Sequence, residues 1–321
     1  MKLFEIYKQI INESAQSQDE NKNINSLPVA SYMMAFPFTM STENPNNVWM
    51  KDYKPKDLKI DKVKLYKQFL DLYNYVSSDS IVWLLPHEGG FQDQVYVANV
   101  GITLPHKEMT AIAANYTSEP RIGEENIFIS FMRQIGYDVQ KSPYNWEGEA
   151  DLKHLYDNKF IGGYGIRSDK KTYEWMTEQY DMDIIDVKMT DEYLYHLDCS
   201  IFPIDEENTL VCTDVFSNKE IKRIEKVTNI IDVDVDSCYN GITNSVRMYN
   251  TILCASNIDE LDKKTSDYKT EKAKVDRLQS ICDGLGMEPV FFNISEFYKS
   301  GAALSCMFLH LNRFSFKNKL I

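Results

Sequence analysis

The chain has 321 residues, 43% of them hydrophobic and 26% charged, which suits one large domain or two modest ones with a proper core. A formal charge of −13 argues against nucleic-acid and anionic-membrane partners, and no apolar run approaches the roughly eighteen residues of a membrane span. Six cysteines without CxxC spacing imply reduced thiols in a cytoplasmic protein, with neither a zinc motif nor a disulfide framework.

Residues 1–26 lack the apolar core of a secretory signal. Leu3, Ile6, Tyr7, Ile10 and Ile11 instead predict a short amphipathic helix, followed by a polar tether ending near Ser26. No linker-like break follows, so residues 27–321 are expected to form a single domain. Strands are expected at 29–36, 80–85, 95–100, 160–165, 184–187, 193–202, 209–212, 230–235, 250–253, 288–292 and 306–311. Helices are expected at 61–76, with Asp61 as its N-cap, and at 123–135, 170–180 and 270–284. Interleaved strands and helices with short gaps predict an α/β chain with more strands than helices. Neither GxGxxG nor a Walker loop is present, which sets nucleotide-binding enzymes aside.

Four stretches carry more polar chemistry than their apolar surroundings need. In FQDQVYVANVGI (91–102), Asp93 precedes an expected strand and Asn99 closes it; alone they read as a turn carboxylate and a strand-end amide. In YNWEGEADLKHL (144–155), Glu147, Glu149 and Asp151 share one face of an extended backbone. Like charges that close raise a pKa unless a cation or imidazole neutralises them. Trp146 and Gly148 indicate a shaped, partly buried turn rather than a solvated acidic loop. In EYLYHLDCSIFPID (192–205), His196 and Asp198 fall on one face of an expected strand, where burial would oblige both to find polar partners. In SEFYKSGAALSCMFLHLN (295–312), Cys306 follows a turn of small residues. An unpaired cysteine is ordinarily a small buried hydrophobe, and it becomes a nucleophile only beside a base or a cation. Of the five histidines, His196 has the best strand context for that base.

Taken in order, seven stretches resemble the guanidino-group-modifying superfamily of arginine deiminases, dimethylarginine hydrolases, arginine dihydrolases and amidinotransferases. They are NPNNVWM (44–50), QDQVYVAN (92–99), RIGEE (121–125), EGEAD (147–151), GGYGIRSD (162–169), YHLDCSIFPID (195–205) and SEFYKSGAALSCMFLHL (295–311). The resemblance spans about residues 29 to 312. It implies a pentein fold, five αβ modules with pseudo-fivefold symmetry around a central pocket, and neither cofactor nor metal. It also implies Cys306 as nucleophile, His196 as acid and then base, and Glu147, or in its place Glu149, as the carboxylate that orients His196. Asn99, Asp198, Asp151, Glu149 and Asn44 would surround the guanidinium, and Arg121 and Arg167 would take a substrate α-carboxylate. The implied partner is an arginine-like small molecule, and a homo-oligomer is compatible with all of this. Asn99 favours the dihydrolase-like branch, and Asp198 points away from the dimethylarginine branch. The expected reaction is hydrolysis of arginine or a close analogue to ammonia and citrulline, or ornithine after a second round. Amidinotransfer to an amine ranks second. A pentein that binds without turnover ranks third, motivated by Ala302, Ala303 and Phe308, which depart from the superfamily pattern.

Overall fold

A computed structural model describes residues 23–317, so the expected N-terminal helix lies outside the described residues. Five three-stranded sheets share one plan: an antiparallel pair, then a parallel strand reached through a helix, as a parallel connection requires. One sheet joins Gly101–Thr103, Thr110–Ala113 and Asp138–Lys141. The next joins Leu152–Tyr156, Lys159–Tyr164 and Asp183–Lys188. A third joins Ile201–Pro203, Asn208–Val211 and Asn229–Asp232, and a fourth Val246–Met248, Thr251–Ala255 and Glu288–Phe292. The remaining sheet pairs Ser31–Met34 in parallel with Ile81–Leu84 and antiparallel with Leu309–His310, so the end of the chain completes the unit its beginning opens.

The crossover helices are fixed by local chemistry. Lys62–Asp79 starts at Asp61, whose side chain accepts from the backbone N–H groups of Val63 and Lys64, and it buries Leu65, Phe69, Leu72 and Val76. Lys170–Tyr180 matches its expected bounds and buries Tyr173 and Met176. Ser217 and Glu220 form a reciprocal capping box at the start of Asn218–Ile224. Glu124–Gln134 and Ser266–Leu285 complete the set.

Apolar clusters join each sheet to its neighbour in chain order. Along Ser31–Met34 the side chains alternate, Tyr32 and Met34 packing with Val246 and Leu253, and Met33 with Ala111, Ala113 and Leu309. Ile102, Leu152 and Phe160 form the next contact, then Ile161, Val187, Ile201 and Val211, then Phe202, Leu210, Ile252 and Cys254. The fifth sheet thus packs on the first.

Three expected strands fail in an instructive way. The run 95–100 is a 3₁₀ turn, Val97–Asn99, ahead of its strand. The run 193–202 holds two such turns, Glu192–Leu194 and Leu197–Cys199, before Ile201–Pro203. Cys306 lies in the turn Ser305–Met307, not at the start of a strand. His196 and Asp198 therefore do not share a strand face. These apolar runs are buried because the turns themselves pass through the interior, and a buried run alone does not distinguish a strand from a buried turn. The strands Thr110–Ala113, Asp138–Lys141, Leu152–Tyr156 and Val246–Met248 were not anticipated. All six cysteines are unpaired, and no helix among the described residues is long and apolar enough to cross a membrane.

Candidate active site

The polar residues converge because they occupy one position in the repeated unit, the loop just ahead of the first strand. Asn99 precedes Gly101–Thr103, Glu147 to Asp151 precede Leu152–Tyr156, His196 and Asp198 precede Ile201–Pro203, Asn244 precedes Val246–Met248, and Cys306 precedes Leu309–His310. Gly148 permits the close approach of two of these loops. Its φ is +67°, and a Cβ there would lie 2.4 Å from the carbonyl oxygen of Ala98. Trp146, fully buried, anchors the same turn through a two-way backbone pairing with Asn115.

The imidazole of His196 donates from Nε2 to Glu147 Oε2 at 2.8 Å, and Thr117 donates to the other carboxylate oxygen at 2.9 Å. Glu147, not Glu149, therefore reaches the histidine. Burial works to raise the Glu147 carboxyl, but the His196 hydrogen bond and the nearby charges of His196, Arg167 and Arg121 hold it at about 2. The Asn99 amide lies 3.4 Å from both ring nitrogens of His196.

Cys306 has different neighbours. Its Sγ lies 3.6 Å from Asn244 Nδ2 and 3.9 Å from Asp198 Oδ2. Burial, and then the charge of Asp198, push the thiol up to about 12. Cys306 and His196 both line two adjoining cavities. One, of ≈ 20 Å³, is walled by Asn46, Asp93, Asn99, Arg121, Glu147 and Arg167; the other, of ≈ 390 Å³, has Trp49, Tyr53, Tyr193, Tyr195, Tyr239 and Tyr298 in its wall.

The remaining expected residues divide. Arg121 and Arg167 line the small cavity. Arg121 is engaged with Glu124 at 2.7 Å and with the carbonyls of Asp93 and Tyr96, and Arg167 donates to the Asn46 carbonyl at 2.7 Å and lies over the Tyr195 ring. Asp151 and Asp198 line neither cavity and act as ties between loops. Asp151 accepts from Ser168 Oγ at 2.5 Å and from the Leu197 N–H at 3.1 Å, locking the Glu147 loop to the His196 loop. Asp198 accepts from Ser305 Oγ at 2.7 Å, locking the His196 loop to the Cys306 turn. Asn44 is exposed and pairs through its backbone with Gln92; Asn46, two residues on, enters the site and donates to Asp93 at 2.7 Å. Asn46 and Asn244 are polar site residues that sequence reasoning passed over, and Asp93, read there as a turn carboxylate, is a third member of the site. A search for the loop equivalent in every unit would have found Asn244. Phe308 is core filling, edge-on to Tyr32 at 5.6 Å.

Glu149 is structural. It accepts from the His310 N–H at 3.0 Å, from His310 Nδ1 at 2.5 Å and from Arg313 at 3.0 Å. Burial lowers the His310 imidazole despite the Glu149 charge, and Arg313 supplies a guanidinium beside the carboxylate. Burial also works to raise the Glu149 carboxyl, but Arg313 and His310 outweigh it and hold the group below the ordinary carboxylate range. Glu149→Ala strands a buried guanidinium and is expected to cost about 3–5 kcal/mol in denaturant unfolding. The sign with pH follows. The contribution is complete above the unfolded value of about 4.3 and is lost as pH falls toward the depressed folded one.

A family model described as N,N dimethylarginine dimethylhydrolase, eukaryotic, matches residues 34–311. The match sets the chain in a dimethylarginine family, whereas Asn99 and Asp198 are the residues that point to another branch. The chain is 25% identical to an uncharacterized Caenorhabditis elegans protein, over 87% of this chain and 92% of that one. It is 24% identical to the bifunctional arginine dihydrolase/ornithine cyclodeaminase AgrE of Nostoc sp., over 87% of this chain but only 37% of AgrE. In fold it is similar to the product-bound N-terminal domain of ArgZ, an arginine dihydrolase of cyanobacteria, with a TM-score of 0.77 at 21% identity over 88% of this chain and 97% of that one.

Proposed function

The chain belongs to the eukaryotic N,N-dimethylarginine dimethylhydrolase family, and from that premise we propose that it hydrolyses the guanidinium group of arginine or a close analogue, without a cofactor, through Cys306. One observation carries the reading: Cys306 and His196 face the same two cavities while Glu147 holds the imidazole at 2.8 Å. We read the five cyclically packed sheets as the modules of a pentein, and residues 27–321 as its single catalytic domain.

The cation's planar end enters the small cavity, where Asp93 and the Asn99 amide meet it, and Arg121 and Arg167 face its α-carboxylate. The Cys306 thiolate attacks the guanidinium carbon. His196 delivers a proton to the departing nitrogen, leaving an amidino-thioether, and then takes a proton from the water that resolves it. Glu147 keeps Nε2–H bound, fixes the ring and stabilises the imidazolium form. Asp151 and Asp198 position the loops. Arginine gives ammonia and citrulline, and ornithine if a second round follows. The family match favours a second reading, in which dimethylarginine releases dimethylamine. Incubating the purified protein with arginine and with asymmetric dimethylarginine, and measuring ammonia, dimethylamine, citrulline and ornithine, decides between them. No turnover of either compound contradicts both.

The thiol, pushed up to about 12, has no imidazole beside it, so the substrate's own charge lowers it and the proton passes to water as the thiolate forms. A cation a few ångströms away lowers an acid's pKa by roughly 1–3 units. Cationic 2-chloroacetamidine is therefore expected to inactivate at neutral pH about 10- to 1,000-fold faster than neutral iodoacetamide, once each rate is divided by that with a free thiol. The ratio should shrink as pH rises and the thiol ionises unaided. Equal normalised rates at neutral pH would contradict this.

A further inference from the structure

The larger cavity, ≈ 390 Å³, adjoins Cys306 and His196 on the side that Arg121 and Arg167 do not line. That is far more room than ammonia or dimethylamine needs, and it is in the range of sites built for a ligand. Its wall holds three rings packed nearly perpendicular to one another. Trp49 and Tyr193 have centroids 4.9 Å apart, and Tyr239 stands 6.2 Å from each. The hydroxyls of Tyr193 and Tyr239 each donate to a carboxylate at 2.7 Å, from Asp52 and Asp191, which makes the rings richer in electrons. No lysine or arginine lines the space. Of its two carboxylates, Glu271 is matched by Lys274 at 2.6 Å, whereas Asp267 at the rim has no basic partner among the described residues. Tyr298, also in the wall, keeps its buried hydroxyl without a hydrogen-bond partner. Electron-rich rings, an unmatched carboxylate and an open hydroxyl are the recognition chemistry of an organic cation with an alkyl stem.

We propose that this cavity is a subsite for a cationic amine carried on the far nitrogen of the guanidinium, so that the substrate class extends to arginines bearing an aminoalkyl chain there. The inference rests on the hydrolase reading above. Cys306 Sγ bonds to the guanidinium carbon, and the bond from that carbon to the substituted nitrogen breaks, its electron pair staying on nitrogen. His196 supplies the proton, and a diamine departs through the aromatic cavity. Water then adds to the amidino carbon, the thiolate leaves, and the ureido amino acid remains.

The test compares kcat/KM for Nω-(4-aminobutyl)arginine, read by 1,4-diaminobutane release, with that for arginine, read by ammonia release. The wild-type ratio is expected to be about ten or more, as a cation–π contact plus a buried alkyl stem supplies. In Tyr239→Ala and in Asp267→Asn it should fall toward one. A wild-type ratio near one with arginine turned over normally overturns the subsite and leaves the hydrolase reading intact. So does a ratio that survives both substitutions. Absence of turnover with every guanidine, and no Cys306 labelling, overturns the hydrolase reading and this inference with it.

Discussion

Cys306→Ser is expected to abolish turnover, by about 10⁴-fold or more, while arginine still binds within a few-fold of the parent affinity. The thiolate is the only protein group that bonds to carbon in the proposed mechanism, and a serine hydroxyl, far less acidic than a thiol, has no imidazole beside it here: the polar neighbours of Sγ are Asn244 and Asp198, not His196. Binding should persist because the groups facing the guanidinium and the carboxylate, Asp93, Asn99, Arg121 and Arg167, belong to other loops. Serine also keeps the turn: the Ser305 contacts to Asn244 and Asp198 come from the neighbouring residue. Calorimetry for binding and product assays for turnover separate the two effects. A loss of binding equal to the loss of turnover would mean the thiol is part of the ligand contact and not the nucleophile.

Glu147→Gln is expected to lower kcat by about 10²–10⁴-fold, the range of a lost general acid–base function, with KM changing much less. The amide can still touch His196, but it no longer fixes which nitrogen carries the proton, and it cannot stabilise the imidazolium. Because the Glu147 carboxyl is held at about 2, it stays ionised across the working pH range, and the substitution removes a full charge. The split between kcat and KM distinguishes this role from a structural one: kcat falls while arginine binding and the unfolding midpoint stay near those of the parent. A stable variant with near-parental kcat would remove Glu147 from the mechanism.

Much of this site was legible because its residue types have few bland explanations when buried. Glu147, His196 and Cys306 stand out in apolar stretches, and Trp146 with Gly148 signals a shaped turn. The crossover helices were readable for the usual reason, since Lys62–Asp79 and Lys170–Tyr180 carry apolar residues at helical spacing. What escaped was the geometry of the loops. Val97–Asn99 and Leu197–Cys199 look like strands in sequence because they are apolar and interior, yet their backbone groups are satisfied by i→i+3 bonds. The two aspartates were legible as buried polar groups but not as ties, because their partners, Leu197 and Ser305, come from other units of the fold. Asn244 lies in an unremarkable polar turn, and only its equivalence to the other four loops marks it. Asp93 reads as a turn carboxylate until Arg121 and Asn46 are brought to it.

The repeated placement explains how a chain with short strands builds one reactive centre. Each loop ends on a strand packed against its neighbours, and the carboxylate ties join the Glu147 loop to the His196 loop and the His196 loop to the Cys306 turn. A side chain is thereby held by two units at once, the preorganisation that a small planar cation requires.

The central claim is a covalent passage through Cys306. The most direct measurement is acid-quenched mass spectrometry of the enzyme during turnover of arginine and of dimethylarginine, with peptide mapping. The account predicts an amidino adduct on the peptide containing Cys306, absent from Cys306→Ser and formed alongside a ureido product. Guanidine hydrolysis that proceeds undiminished in Cys306→Ser, with no adduct on any cysteine, would contradict it.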